Sequence, residues 1–176
     1  MTENQSPAIE ATLHSLDGKG VARLKSRYET DIDDLWAALT DPNRLARWYG
    51  NVDGDLRLGG EFTAIVHGSG WDGRGRVDVC DPPRKLVVTM WEEEGEEGVV
   101  TAELVADGSH TILVIERSGM PLDRAWAYGA GWQTHLEDLG VHLAGQERSE
   151  WPSGSWPRWD ELAPSYREMP VTPLER

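Results

Sequence analysis

The sequence predicts an α+β fold in which a curved antiparallel sheet of about seven strands wraps around a long C-terminal helix, with two short helices after the first strand. Short segments of alternating polarity, separated by glycine and proline turns, favour strands joined as hairpins, and such strands pair antiparallel. A segment near the end of the chain has the apolar spacing of a long helix. The stretch WAALTDPNRLARWYG, at 36–50, carries an Asp-Pro break between two helical patterns.

The first predicted strand extends over 14–30 and is interrupted at DGKG. In its second part, VARLKSRYE, cationic residues alternate with residues that are mixed to apolar, as in a half-buried strand. Residues 1–13 show no such pattern, and we expect them to form a flexible segment.

Two short helices are predicted in DIDDLWAALTDPNRLARWYG. Asp31 or Asp33 can cap the first helix, and Pro42 ends it. Proline is also favourable in the first turn of a second helix, for which Thr40 or Asp41 is the cap. The two helices therefore meet at a fixed angle, and we expect this bent pair to close one end of a cavity in the sheet.

Six further strands are predicted between 52 and 118, separated by turns at Gly59-Gly60, GSG, Pro82-Pro83, EEEGEEG and Asp107-Gly108. The glutamates of EEEGEEG repel one another and predict a solvated hairpin tip. In the fourth strand of the chain, WDGRGRVDVCD, Val77 and Val79 indicate one inward face, whereas Cys80 indicates the other. Both alternatives stay open.

The long helix is predicted to begin near Pro121 and to end at Gly145. Trp132, Leu136, Leu139 and Leu143 are spaced four, three and four, which makes one apolar stripe. The glycines at 129, 131 and 140 each lower helix propensity by about 1 kcal/mol relative to alanine. A helix that keeps them is expected to pack closely against another element.

The chain has 176 residues, which is typical of one domain with extensions. We divide it into the flexible segment 1–13, a domain at 14–146, and an extension at 147–176 that is rich in proline and tryptophan. The extension contains Trp151, Trp156, Trp159 and Tyr166, and we expect it to drape over the domain with its last residues disordered.

The formal net charge of −14 argues against nucleic acid as a main partner, because such binding depends on the neutralisation of phosphates. No run of about 20 apolar residues predicts a membrane span, and the N-terminus lacks the pattern of a signal peptide. The one cysteine, Cys80, excludes an internal disulfide. These features fit a cytoplasmic protein without a membrane partner, and a homodimer stays open.

The motifs, in order, resemble a known family. They are LWAALTDPNRLARWYG, GGEF, GRV…DPPRKLVVTMW, VTAELVADGSHTILVIERSG and GWQTHLEDL, and they cover 14–145. This pattern is similar to that of the bacterial Activator of Hsp90 ATPase homologue 1-like (AHSA1) proteins of the helix-grip superfamily, also called START-like or SRPBCC. The resemblance implies the helix-grip fold, with a cavity between the sheet and the C-terminal helix.

The walls of that cavity are implied by the same resemblance, and an ordinary packed core is the alternative for each residue. The candidate ligand-binding residues are Trp48, Phe62, Ala64, Val66, Trp71, Val88, Met90, Val100, Ala102 and Trp132.

No catalytic residue, metal site or cofactor is predicted. Arg74, Arg76 and Asp78 share one face of a strand, which we interpret as its solvated outer face. His135 and His142 are seven residues apart on the long helix, whereas metal-binding pairs on one helix are usually four apart.

Three functions stay open, because this fold supports several activities. The first hypothesis is the non-catalytic binding of a small hydrophobic or aromatic ligand in the cavity. The second is a cyclase-like or self-resistance protein of polyketide or enediyne metabolism, with the aromatic extension as a lid. The third is a co-chaperone with a homologue of Hsp90 as its partner.

Overall fold

The computed structural model describes residues 7–91, 97–147 and 156–175. Those residues form four α-helices, α1 (Ile32–Thr40), α2 (Pro42–Trp48), α3 (Ala125–Leu143) and α4 (Pro157–Arg167). They also form nine strands, β1 (Glu10–Leu16), β2 (Lys19–Tyr28), β3 (Gly50–Gly54), β4 (Glu61–Val66), β5 (Asp72–Asp81), β6 (Lys85–Trp91), β7 (Gly98–Asp107), β8 (His110–Pro121) and β9 (Val171–Pro173). Most of the predicted tip EEEGEEG and Trp151 lie outside the described residues.

The strands form one sheet in the order β3-β4-β5-β6-β7-β8-β2-β1-β9. Every pair is antiparallel except β1 and β9, which are parallel. The predicted α+β fold, with an extended sheet and a long C-terminal helix, is confirmed. In the described parts of the chain, no helix is long and apolar enough to cross a membrane.

The first predicted strand is a hairpin of two strands, and this accounts for one of the additional strands. Asp17 and Gly18 both have positive φ, 51° and 78°, which is the backbone of a tight turn that joins antiparallel strands. Strand β1 begins at Glu10, inside the segment that was predicted to be flexible. Leu13, which is 2% exposed, fixes β1 to the core.

A β-bulge in β5 explains why the sequence of that strand indicated two different inward faces. The register with β6 shifts between Val77 and Val79, so the alternation of faces changes by one residue. Val77 is 2% exposed and Val79 is 38% exposed, whereas Cys80 packs against the core. Both Val77 and Cys80 therefore face inward, on opposite sides of the bulge.

The helix pair has the predicted break. The side chain of Asp31 caps α1 and that of Asp41 caps α2, with Pro42 in the first turn. The indole N–H of Trp48 donates to the carbonyl of Ala38 over 2.9 Å. This bond ties the end of α2 to α1 and holds the angle between them.

Helix α3 packs against β1, β2 and β8. Leu136 and Leu139 of the predicted stripe are fully buried, and the hydroxyl of Tyr28 in β2 donates to the carbonyl of Leu136 over 2.8 Å. The helix begins at Ala125, later than predicted, because Pro121 still belongs to β8 and a 3-10 turn, Leu122–Arg124, separates the two.

The extension is ordered in its described part, and the prediction of disordered final residues is wrong for 171–175. Helix α4 packs on α3, and a Cβ atom at Gly129 would lie 2.8 Å from the ring of Tyr166. Strand β9 pairs with β1, and the N–H of Leu174 donates to the carbonyl of Ser15 over 2.9 Å. The glycine in α3 therefore allows the close helix contact that its presence predicts.

Arg44 of α2 connects the helix pair to α3. Its Nε donates to Nε2 of His142 over 3.0 Å, and its Nη1 donates to Oδ1 of Asp34 over 2.7 Å. Burial and the positive charges of Arg44 and Arg47 lower the pKa of His142. Although burial alone would raise the pKa of Asp34, hydrogen bonds from Thr30 and Arg44 lower it.

We expect the substitution Asp41→Ala to lower the free energy of unfolding by about 1 kcal/mol, because the N–H of Asn43 loses the cap acceptor of α2. Urea unfolding followed by circular dichroism measures the change. The control Asp41→Asn keeps an acceptor and should lie close to the wild type; an equal loss in both variants would contradict the cap.

We expect the free energy of unfolding to fall as the pH decreases below about 6.5, the ordinary pKa of histidine. The folded pKa of His142 is depressed, so the unfolded chain binds the proton more readily and acid favours unfolding. Urea titrations at pH 7.5, 6.5 and 5.5 should give a flatter dependence for His142→Gln. Parallel pH profiles for the two proteins would refute this assignment.

Candidate functional site

Two adjoining cavities lie between the sheet and α3. The outer cavity has a volume of about 670 Å³ and is lined by the β4–β5 loop, α3 and the start of the extension. The inner cavity has a volume of about 90 Å³ and lies between the helix pair and strands β3 to β8. The volume of the inner cavity is well below the roughly 300–1,000 Å³ of sites for drug-sized ligands. The outer cavity is therefore the one with room for such a ligand.

A stack of aromatic rings separates the two cavities. The ring centroids of Tyr49 and Trp132 are 5.8 Å apart with an angle of 19° between their planes. His135 packs edge-on against both rings, and its ring centroid is 5.0 Å from that of Trp156. Tyr49 and Trp132 line both cavities. These rings therefore fill the space between the two cavities.

Most of the predicted wall residues lie on one of the two linings. The inner cavity is lined by Trp48, Phe62, Val88, Met90, Val100, Ala102 and Trp132. The outer cavity is lined by Val66, Trp71, Met90, Val100 and Trp132. The structure thus divides the predicted set between two spaces.

Ala64 is the predicted wall residue that lies on neither lining. It is buried, at 1% exposed, and pairs across the sheet with Gly73. A Cβ atom at Gly73 would overlap the ring of Trp71, and one at Gly75 would overlap the ring of Phe62. The two large rings therefore lie against the glycines of β5, next to Ala64, and this part of the interior is packed core.

Several lining residues were not found from the sequence. Tyr49, Val77 and Leu86 line the inner cavity, and Arg117, Tyr128 and His135 line the outer one. A usable signal existed for Arg117: Thr111, Leu113 and Ile115 form the apolar face of β8, and position 117 continues the same parity. The sequence predicted that the extension covers the domain, but it did not predict that Trp156 and Trp159 line the outer cavity.

The outer cavity contains a buried cation. Arg117 is 8% exposed, and burial lowers its pKa. Its Cζ lies 5.0 Å from the centroid of the Tyr128 ring, a cation–π distance. Burial raises the pKa of Tyr49 to about 12, an increase that the nearby charge of Arg117 reduces. The phenol of Tyr49 is therefore protonated at neutral pH, and Arg117 is charged because a guanidinium is not deprotonated in proteins.

Of the polar residues considered in the sequence, Arg76 and Asp78 lie on neither lining, whereas His135 lines the outer cavity. Arg76 donates from Nε to Oδ1 of Asp78 over 2.7 Å, and both lie on the outer face of β5. The ring of His67 contacts the carbonyl of Ala46 over 2.8 Å. In the described ranges, no group of three or more His, Cys, Asp or Glu side chains is arranged to hold a metal ion.

The extension is fastened to α3 beside the outer cavity. Arg158 of α4 forms a bidentate contact with Glu137, from Nε to Oε2 over 2.7 Å and from Nη2 to Oε1 over 2.8 Å. The indole N–H of Trp159 donates to the carbonyl of Ala127 over 3.0 Å. These bonds place Trp156 and Trp159 on the wall of the cavity.

We expect Arg158→Gln to accelerate hydrogen exchange of the α4 amides by about fivefold. A bidentate ion pair stabilises a structure by more than the usual surface ion pair, which contributes about 0–1 kcal/mol. Exchange measured by mass spectrometry on peptides covering 157–167 gives the rate. The matched control Glu161→Gln removes a second partner of Arg158 but leaves the link to α3, so its rate should change little. Equal rates in all three proteins would show that the pair does not hold α4.

A family model described as Activator of Hsp90 ATPase homolog 1-like protein matches residues 29–144. Among solved structures, the chain is similar to CalU16 from Micromonospora echinospora, with 25% identity, a TM-score of 0.72, and coverage of 92% of this chain and 96% of that one. It is similar to DynU16, a protein in the dynemicin biosynthetic locus, with 25% identity and a TM-score of 0.68 over 74% of this chain and 50% of that one.

An HSP90 activator from Plasmodium falciparum shares the fold, with 24% identity, a TM-score of 0.58, and coverage of 70% of this chain and 96% of that one. No curated protein matches the sequence.

Proposed function

Because the chain belongs to the Activator of Hsp90 ATPase homolog 1-like family and has a cavity between its sheet and α3, we propose that it binds a small hydrophobic or aromatic molecule without catalysing a reaction. The ligand occupies the outer cavity between the sheet and α3. The observation that carries this proposal is the volume of that cavity, about 670 Å³, together with its aromatic wall.

The chemistry of the wall supports an aromatic ligand. Trp71, Trp132, Trp156 and Trp159 line the outer cavity, as do Tyr49 and Tyr128. Aromatic side chains offer large apolar surfaces and favour offset or edge-on contacts with other rings. Such walls, with few polar groups that orient the ligand, are typical of small-molecule sites. The inner cavity, which adjoins at Val100 and Trp132, can accept a small substituent.

We expect the neutral fluorescent probe N-phenyl-1-naphthylamine to bind with a stoichiometry of one per chain. The substitution Val100→Phe places a ring where the two cavities adjoin and should weaken binding by at least about tenfold, or about 1.4 kcal/mol. Fluorescence titration measures both. Val105→Phe, on the same strand but with the native valine 59% exposed, is the matched control and should bind like the wild type.

Absence of binding in the wild type, or an equal effect of the two substitutions, would contradict the proposed location of the ligand. Circular dichroism of both variants establishes that they are folded before the titrations are compared.

A second candidate is a role in natural-product metabolism, favoured by the similarity to DynU16 and its place in the dynemicin biosynthetic locus. In this role the ligand is a polycyclic compound and the extension covers it. A natural-product biosynthetic cluster around the gene would support this candidate. Two experiments test it: whether expression of the protein protects a sensitive bacterial strain, and whether the protein converts a cyclic precursor. If neither effect is seen, this candidate is removed and ligand binding without catalysis remains.

A third candidate, a partnership with an Hsp90 homologue, is favoured by the family description. Co-sedimentation of the protein with a bacterial Hsp90 homologue at tens of micromolar tests it, and the absence of a complex would remove it.

A further inference from the structure

Arg117 is the buried charge of the outer cavity. It lies on β8 with its side chain directed inward, in the same parity as Leu113 and Ile115. A Cβ atom at Gly98, in the neighbouring strand β7, would overlap its guanidinium group. The guanidinium therefore lies against the backbone of β7, and the glycine at position 98 leaves space for it.

The guanidinium has few partners of its own. Its Nη1 donates to the carbonyl of Ser118, and its Cζ faces the ring of Tyr128. Among residues 7–91, 97–147 and 156–175, no carboxylate lies within ion-pair distance of it. The carbonyl of Ser118 is thus the one hydrogen-bond acceptor shown for its five N–H donors in those ranges. Burial of an unpaired charge is unfavourable, so the arrangement requires an explanation other than stability.

Beside Arg117, the outer cavity has a buried indole donor and two exposed charges of opposite sign. The indole N–H of Trp156 is buried and has no hydrogen-bond partner in the described part of the chain. Arg124 contributes a second, exposed cation to the lining, and Asp72 contributes an exposed carboxylate. In a chain with a net charge of −14, this is a place where a buried positive charge faces an empty space.

We infer that Arg117 recognises an anionic group, and that the outer cavity takes an aromatic ligand that bears a carboxylate. The planar fork of a guanidinium matches the two oxygens of a carboxylate and binds them in a bidentate manner. The rings of Tyr49, Trp132 and Trp156 then hold the apolar part of the ligand. This inference rests on the proposed function, because it specifies the class of ligand for the same cavity.

Calorimetric titration with 2-naphthoate and with the neutral 2-naphthamide at pH 7.5 tests the inference, since the two probes differ only in the charged group. We expect naphthoate to bind about tenfold or more tightly than naphthamide, as is typical of a charge-assisted hydrogen bond. In Arg117→Met this preference should disappear, whereas the affinity for naphthamide should stay within about twofold. Arg124→Met is the control and should keep most of the preference.

The thermal midpoint of the unliganded protein gives a readout that does not depend on any ligand. Arg117→Met should unfold at the same temperature as the wild type or at a higher one, because the variant removes an unpaired buried charge. A clear decrease would assign Arg117 a structural role and overturn the inference.

The outcomes separate the two proposals. Equal binding of both probes to the wild type, or a preference that persists in Arg117→Met, overturns the role of Arg117 and leaves the binding cavity intact. If neither probe binds, the proposed function fails, and the inference that rests on it fails with it.

Discussion

The contact between α3 and one half of the sheet is the constraint on which the rest of the structure depends. Leu136 and Leu139 are buried against β1, β2 and β8, and the hydroxyl of Tyr28 fixes the helix at the carbonyl of Leu136. A single helix cannot cover the full width of a nine-stranded sheet. The inward faces of β4 to β7 must be covered by something else, and the helix pair, the large rings and the extension do this incompletely. The cavities are the space that remains.

The aromatic residues divide that space in a way that favours one site. The stack of Tyr49 on Trp132 leaves an inner cavity too small for most ligands and an outer cavity of useful size. The extension completes the outer wall, because small residues in α3 allow its rings to approach. A Cβ atom at Gly129 would lie 2.8 Å from the ring of Tyr166, which is too close, whereas one at Gly131 would make an ordinary contact with Trp156 at 3.4 Å. Glycine in α3 thus lowers the intrinsic helix propensity of this segment, but it allows close packing of α3 against the C-terminal extension.

The sequence was sufficient to predict the α+β class and the helix break at Pro42, because these depend on local rules of periodicity and proline geometry. The inward residues of β4 were implied by the family resemblance. It was not sufficient where one extra residue or a distant contact decides the outcome. The bulge beside Asp78 reverses the face of Val79, and no local rule locates it. The division of the wall residues between two cavities depends on how Tyr49 meets Trp132 across about eighty residues of chain. Arg117 had the correct parity, but a charged residue is normally assigned to the solvent face.

Strand β9 has a consequence for association between molecules. An edge strand of a sheet exposes unpaired N–H and C=O groups, which can pair with a strand of another chain. At this edge the last strand has three residues, and Pro173 lacks an N–H to offer. Without β9, the seven residues of β1 would be the exposed edge strand of the sheet. The C-terminal segment covers this edge with a strand that is too short to pair stably with another chain. The C-terminal segment therefore protects the protein against edge-to-edge aggregation, and its removal would expose β1 as an aggregation-prone edge strand.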